Sequence, residues 1–182
     1  GKAIVRQPKV RKVSFTGGPI TARKILAAAA EQIKPCVMEL GGKSASLMFP
    51  DCDVQKACER AIFWTIGILS GQGCALPTRL LVHESIYDDV LVRLQALAAH
   101  FVAGDPMEPG GMVGPLINSA AVARVMGMFD RVRDEKSGRF LVGGNRCGGA
   151  LASGNFIEPT IIVDVEPDSE IAQIEIFGPA LV

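Results

Sequence analysis

The chain has 182 residues, of which 48% are hydrophobic, and its 19 Lys and Arg balance 19 Asp and Glu to a formal net charge of zero. This apolar fraction excludes a disordered chain, and the length suffices for one sizeable core or for one domain and part of another. Zero net charge argues against broad binding to nucleic acid or acidic membranes. The longest uncharged stretch, 61–78, is interrupted by glycines and is a poor membrane span.

Five cysteines without a CxxC pair do not form a disulfide framework and indicate a reducing compartment, which we expect to be the cytoplasm.

Helices and strands alternate along the chain. A short strand at 13–15, a glycine turn, an Ala-rich helix at 20–33 and a buried strand at 36–40 form a βαβ unit, which is typical of a parallel sheet. Later stretches continue the alternation, with strands expected at 45–49, 78–83, 140–142 and 156–163, and helices expected after Asp53, at 85–101 and at 120–135. The pattern predicts an α/β fold.

The two ends of the chain indicate a piece of a longer protein. The sequence begins at Gly1 with no initiator Met and no signal-peptide pattern. It stops within residues 177–182, where an apolar strand begins, and an unprotected strand start is an unusual end for a protein.

Cys74 is the cysteine best placed for chemistry. It follows Ser70-Gly71-Gln72-Gly73 in a sharp loop after an apolar helix, where glycines let backbone N–H groups approach a substrate and a thiol can be exposed. A structural loop cysteine is the alternative reading of the local sequence. The other four cysteines are interpreted as buried or incidental residues: Cys36, Cys52, Cys58 and Cys147. The sequence contains no metal-binding pattern.

Glu39 is an acid near the end of an otherwise apolar strand. Burial would raise the pKa of its carboxyl towards the range useful to a general base, and the carboxyl ends of parallel strands are where α/β proteins place their sites. The alternatives are an acid paired with Lys43 or Arg79, or an acid at the strand edge that faces water.

In order along the chain, four motifs resemble the aldehyde dehydrogenase family. They are Phe15-Thr16-Gly17-Gly18, Glu39-Leu40-Gly41-Gly42-Lys43-Ser44, Gly71-Gln72-Gly73-Cys74 and Glu175-Ile176-Phe177-Gly178-Pro179. Weaker matches fill the gaps, so that the resemblance extends along essentially the whole chain. The glutamate and cysteine motifs in this order are specific, whereas the Thr-Gly-Gly turn alone is not.

The resemblance implies oxidation of an aldehyde to a carboxylic acid with NAD or NADP. The Cys74 thiolate would form a thiohemiacetal and then a thioester, which water activated by Glu39 would hydrolyse. The asparagine that helps to hold the oxyanion in this family lies upstream of Phe15, and this chain has no equivalent. The family also implies a small-molecule aldehyde as partner, no metal, no nucleic acid or membrane, and a full-length homo-dimer or homo-tetramer.

The same resemblance implies two domains and a set of cofactor contacts. Residues 1–42 would be the C-terminal βαβ part of a Rossmann-like NAD(P)-binding domain, and residues 43–182 a parallel-sheet catalytic domain that is truncated at its C-terminal end. The residues expected near the cofactor are Thr16, Gly17 and Gly18 at its phosphates, Leu40 and Gly41 at the nicotinamide, and Glu175 and Phe177 at the nicotinamide ribose.

Several positions depart from the family pattern. Gly18 and Ala22 replace a usual Ser and Gly, which weakens the expected pyrophosphate contacts, and Ala45 replaces a usual Pro. Leu76-Pro77 follows Cys74 where small residues are typical, and Pro77 would stiffen or displace the loop. One extra residue also separates Glu39 from Cys74.

We expect the 182-residue chain to be inactive alone, because the oxyanion asparagine and the adenine site are absent. Two other functions stay open from the sequence. One is a thiol hydrolase that uses Cys74, Glu39 and Lys43, and the other is a catalytically silent dehydrogenase relative that acts as a scaffold.

Overall fold

In the computed structural model, which describes residues 1–182, the first 42 residues contain the expected βαβ unit. Its elements are helix α1 (Lys2–Arg6), strand β1 (Val13–Gly17), helix α2 (Pro19–Ala30) and strand β2 (Cys36–Leu40). β1 and β2 pair in parallel, with Val13 opposite Cys36 and Gly17 opposite Leu40. Pro19 begins α2, where its missing N–H removes no helical hydrogen bond.

The prediction that 36–40 is a buried strand is wrong. The residues of β2 alternate between half-buried and exposed, and none is buried. β2 pairs only with β1, and this two-stranded sheet contacts α2. The apolar strand β2 therefore stays partly exposed, because β1 and α2 cover only part of its surface.

Residues 43–182 form a second compact unit. Its helices and strands follow in the order β3 (Ala45–Met48), α3 (Val54–Ile62), β4 (Arg79–Val82), α4 (Tyr87–Ala98), α5 (Ser119–Glu135), β5 (Arg139–Val142), β6 (Thr160–Val163), α6 (Glu170–Gln173) and β7 (Ala180–Leu181). Asp53 caps α3 as expected, since its carboxylate accepts a hydrogen bond from the Lys56 N–H at 3.1 Å.

The strands of this unit lie side by side. β3 pairs in parallel with β4, and β6 pairs in parallel with β7 and antiparallel with β5. Two backbone hydrogen bonds link β4 to the end of β7: the Leu80 N–H donates to the Val182 carbonyl (2.7 Å), and the Val182 N–H donates to the Thr78 carbonyl (3.0 Å). The strand order is therefore β3-β4-β7-β6-β5, which confirms the predicted α/β class.

Both faces of this sheet are covered. On β6, Ile161 and Val163 belong to a core with α3 and α4, whereas Ile162 between them belongs to a second core with α5. All four residues of β6 are buried, as expected for a strand between two helical layers. No helix of the chain combines the length and the apolarity needed to cross a membrane.

The expected strand at 156–163 is shorter than predicted, because only Thr160–Val163 is strand. Ile157 makes an isolated bridge to Arg146 instead. The helix after Asp53 also differs, since α3 ends at Ile62 and continues as a π-helical turn, Phe63–Gly67.

Candidate active site

The segment before Cys74 is a strained turn. Leu69, Ser70 and Gly71 have φ values of 49°, 54° and 72°, so three consecutive residues adopt the left-handed conformation. For residues other than glycine this conformation costs about 1–2 kcal/mol each. Cys74 follows in a turn and is exposed, as predicted for a working thiol.

Gly71 brings this turn against the Glu175–Pro179 loop. A Cβ atom at position 71 would overlap the carbonyl group of Gly178, so only glycine permits the observed approach of the two backbones. The loop that carries the thiol and the loop expected to contact the cofactor ribose are therefore packed together, although about 100 residues separate them in the sequence.

The side chain of Gln72 connects the same turn to a third segment. Its Nε2 donates to the carbonyl oxygens of Leu69 (3.2 Å) and Pro115 (3.3 Å), and its Oε1 accepts from the Ile117 N–H (3.0 Å). Asn118, the next residue, caps α5 through a 2.8 Å hydrogen bond to the Ala121 N–H. One amide thus joins the Cys74 loop to the beginning of a long helix.

The unusual Leu76-Pro77 pair is accommodated beside Gly73. Leu76 is buried, and a Cβ atom at position 73 would lie 2.9 Å from the Leu76 Cγ. The fully buried Thr65 hydroxyl donates to the Pro77 carbonyl at 3.2 Å. The absence of a side chain at Gly73 makes room for the large side chain of Leu76. The hydrogen bond from Thr65 holds the segment after Cys74 to the π-helical turn.

The other cysteines are less accessible than Cys74. Cys58 is fully buried, and this burial raises the pKa of its thiol to about 11. Burial also raises the pKa of Cys147. Cys36 and Cys52 are half-buried. These environments agree with the interpretation of all four as residues without a chemical role.

Four charged side chains lie near the start of β4 or the Glu175–Pro179 loop: Lys43, Arg79, Arg124 and Glu175. The Nζ of Lys43 and the Nε of Arg79 are buried and donate no hydrogen bond in the structure. Desolvation by burial, and secondly the charge of Arg79, lower the pKa of Lys43 to about 7, while Glu175 opposes this shift. Glu175 also acts on Arg124, whose Nη2 donates to the Phe177 carbonyl at 3.4 Å. Arg124, and Lys43 when it is protonated, therefore place positive charge near Glu175 in the expected ribose-binding loop.

The first unit brings its own predicted residues together. In the parallel register Thr16 lies opposite Glu39, and Gly17 lies opposite Leu40, so the two motifs meet at the carboxyl ends of β1 and β2. All these residues are exposed. The expectation that Glu39 is buried is wrong, because its side chain is exposed. Of the three readings, the acid at a strand edge that faces water describes the structure.

This edge fits an anionic cofactor. Residues 1–42 carry eight Lys and Arg against two acidic residues, whereas residues 43–182 carry eleven against seventeen, so the zero net charge conceals a basic first unit. α2 begins here without a side-chain cap at Gly18, and its first N–H groups and dipole favour negative charge. Space around Gly18 is open. No group of three or more His, Cys, Asp or Glu is placed to hold a metal ion.

Sequence reasoning missed Gln72 and Arg124. The position of Gln72 inside the cysteine motif could have indicated a role. Its hydrogen-bond partners Pro115 and Ile117 lie 43 and 45 residues away, so the local sequence does not reveal them. Arg124 gave no such signal, since it is one of several arginines on α5.

With this geometry in place, comparison with known proteins identifies the class. The model of the aldehyde dehydrogenase family matches residues 1–182, and the chain belongs to this family. The chain is 39% identical over 184 residues to the chloroplastic aminoaldehyde dehydrogenase ALDH10A8 of Arabidopsis thaliana, and covers 36% of it. It is also 39% identical to the peroxisomal aminoaldehyde dehydrogenase 1 of Malus domestica, and covers 35% of it. All of the chain is matched in both cases, so it spans about a third of the length of these relatives.

A solved structure gives the same result. Aldehyde dehydrogenase C (C291A mutant) from Pseudomonas syringae, complexed with NAD⁺ and octanal, superposes with a TM-score of 0.94 at 30% identity. The match covers 100% of this chain and 37% of that one. The predicted family and the α/β fold are therefore confirmed.

The prediction of a cytoplasmic location is wrong by this comparison, because the similar relatives are named as chloroplastic or peroxisomal enzymes. Free cysteines report on redox conditions, and reducing conditions do not specify an organelle.

Proposed function

We propose that this chain works within a longer enzyme that oxidises an aldehyde to a carboxylic acid with NAD or NADP. The observation that carries the proposal is the exposed Cys74, which follows a strained turn packed against the loop of Glu175 and Phe177. In this proposal residues 1–42 contribute to cofactor binding and residues 43–182 carry the nucleophile.

The chemistry follows from the side chains. The Cys74 thiolate adds to the aldehyde carbonyl carbon, and the oxyanion is stabilised by the Cys74 backbone N–H. When bound, the nicotinamide accepts the hydride that leaves this carbon. Glu39 then takes a proton from water, which attacks the resulting thioester and releases the carboxylic acid together with the Cys74 thiolate. Thr16, Gly17, Gly18, Leu40 and Gly41 bind the cofactor, as do Glu175 and Phe177.

Aminoaldehydes and betaine aldehyde are the first substrates to examine. Similar relatives are named as aminoaldehyde dehydrogenases, and another, from Atriplex hortensis, as a betaine aldehyde dehydrogenase. Octanal serves as the uncharged comparison, because it is the aldehyde bound in the Pseudomonas syringae structure.

The test is an assay of the full-length protein with NAD and with NADP over these aldehydes. We expect reduction of the cofactor that is lost in Cys74→Ala and retained in Cys147→Ala, the matched variant of a half-buried cysteine. Ester hydrolysis without nicotinamide would favour the thiol hydrolase, and an inert protein would favour the silent relative.

Two further expectations concern the length and assembly of the protein. We expect the 182-residue chain alone to show no aldehyde oxidation, and Cys74-dependent activity of this chain would contradict that expectation. We expect the full-length protein to be a homo-dimer or homo-tetramer, which light scattering coupled to size-exclusion chromatography measures.

A further inference from the structure

The hydrogen bonds of Gln72 fix the orientation of its amide. The Ile117 N–H is a donor and requires the amide oxygen, whereas the carbonyls of Leu69 and Pro115 require the amide nitrogen. Exchanging the two ends of the amide would break all three bonds. Asparagine is one methylene shorter, so it cannot reach all three partners from the same backbone position.

The turn that Gln72 holds needs external support. Leu69 and Ser70 occupy the left-handed region at a cost of about 1–2 kcal/mol each, and such conformations persist only where surrounding contacts determine them. Gln72 supplies two of these contacts at the Leu69 carbonyl, since both its backbone N–H (3.1 Å) and its Nε2 (3.2 Å) donate there.

The segment at the other end of the amide is rigid. Between Pro115 and Ile117, Leu116 is 2% exposed and belongs to the core with α5, and its N–H donates to the Asn155 carbonyl at 2.9 Å. Asn118 then caps the 17-residue helix α5. The amide therefore connects the strained turn to a packed element.

We propose that Gln72 is a positioning residue for Cys74, which acts by fastening the Leu69–Gly71 turn to the Pro115–Ile117 segment. The inference rests on the proposed function for its kinetic consequence, because it assigns the position of a nucleophile. Gln72 lies two residues before Cys74, so release of its side chain shifts the thiol relative to the substrate. Displacement of a reacting group by about 1 Å can cost about 100-fold in rate.

The kinetic test compares three forms of the full-length protein: the parent, Gln72→Met and Gln72→Glu. Methionine has a similar volume and makes none of the three bonds, so we expect kcat to fall about 10-fold or more at every pH, with an unchanged KM for the cofactor. Glutamate retains the acceptor for Ile117 but turns a carboxylate towards two carbonyl oxygens. We therefore expect its kcat, divided by that of the parent, to rise as the pH falls from about 8 to about 6, because the protonated carboxyl can donate again.

A control separates positioning from general stability. Gln32→Glu makes the same chemical change at an exposed glutamine whose Nε2 donates to the Arg6 carbonyl at 2.8 Å, and we expect its kcat and pH profile to match the parent. A Gln72→Met protein that loses thermal stability but retains its kcat within about twofold would overturn the proposal, because the residue would then be only structural.

Hydrogen exchange of the same proteins gives a readout that does not require activity. Two amides at the turn are hydrogen-bonded in the parent: the Ile117 N–H donates to the Gln72 Oε1, and the Gln72 N–H donates to the Leu69 carbonyl. In Gln72→Met we expect faster exchange at the amides of residues 72 and 117, and unchanged exchange in the centre of α5. If the parent oxidises no aldehyde but this local change occurs, the proposed function fails and the fastening role of Gln72 stands. Unchanged exchange at both amides would overturn the proposal itself.

Discussion

The Cys74 loop and the edge formed by β1 and β2 hold the residues proposed to act, and the two regions are built in different ways. The loop is strained, packed by Gly71 against Gly178 and fastened by the Gln72 amide. The edge consists of exposed strand ends with an uncapped helix start at Gly18 and open space around it.

The difference corresponds to the chemistry expected of each region. A nucleophile must be held close to the reacting carbon, so its loop is determined by contacts with distant segments. A phosphate is recognised by backbone N–H groups and a helix dipole, which tolerate an open surface. Substitutions in the two regions should therefore have effects of very different size.

The largest effect is expected at Gly71. Gly71→Ala combines a positive φ with overlap of the Gly178 carbonyl, and we expect the free energy of unfolding to fall by about 4 kcal/mol. Gly110→Ala is the matched control, since its φ is +99° and no atom lies within 4 Å of the added Cβ. It should cost only about 1 kcal/mol. Equal losses for the two variants in urea unfolding would contradict the close packing of the two loops.

A pH-dependent effect is expected at Lys43. Burial lowers the pKa of this lysine to about 7 in the folded chain, whereas an unfolded lysine stays protonated to a much higher pH. The unfolded state then binds more protons between these values, so the contribution of Lys43 to stability increases as the pH rises. Between about pH 7.5 and 9 we expect this contribution to grow by about 1–2 kcal/mol.

Lys43→Met should remove that increase. The measurement is urea unfolding of the parent and the variant at several pH values, with Lys56→Met, an exposed lysine of α3, as control. If the parent and Lys43→Met have parallel pH profiles over this range, Lys43 is not held in a desolvated site.

The smallest effect is expected at Gly18. Gly18→Ser restores the residue usual in the family at a position with φ of −77° and free space, so stability should change by less than about 0.5 kcal/mol. In the full-length protein we expect the KM for the cofactor to fall about threefold, since the hydroxyl adds one hydrogen bond near the phosphates. Gly148→Ser, another uncrowded glycine, is the control. A large loss of stability in Gly18→Ser would show that the edge is not open.

Local sequence signals predicted most of the elements. Pro19 at the start of α2, the Asp53 cap of α3 and the hydrophobic period of α5 all depend on neighbouring residues, and these helices begin where they were expected. The short helices α1 and α6 were not predicted, because four or five residues give no clear period.

The features that the sequence could not predict depend on distant parts of the chain. The exposure of Glu39 depends on what covers β2, and the role of Gln72 depends on partners more than 40 residues away. The π-helical turn Phe63–Gly67 was itself not predicted, but the sequence contains a feature that it can explain. A π-turn holds about one residue more than an α-turn, so it offers a place for the extra residue expected between Glu39 and Cys74.

The most direct test of the account is to trap the acyl group on the nucleophile. Glu39→Gln in the full-length protein should still form the thioester but hydrolyse it slowly, so incubation with aldehyde and NAD(P), followed by digestion and mass spectrometry, should find the acyl mass on the peptide that carries Cys74. An acyl group on another cysteine, or continued turnover in Cys74→Ala, would contradict the assignment of Cys74 as the nucleophile.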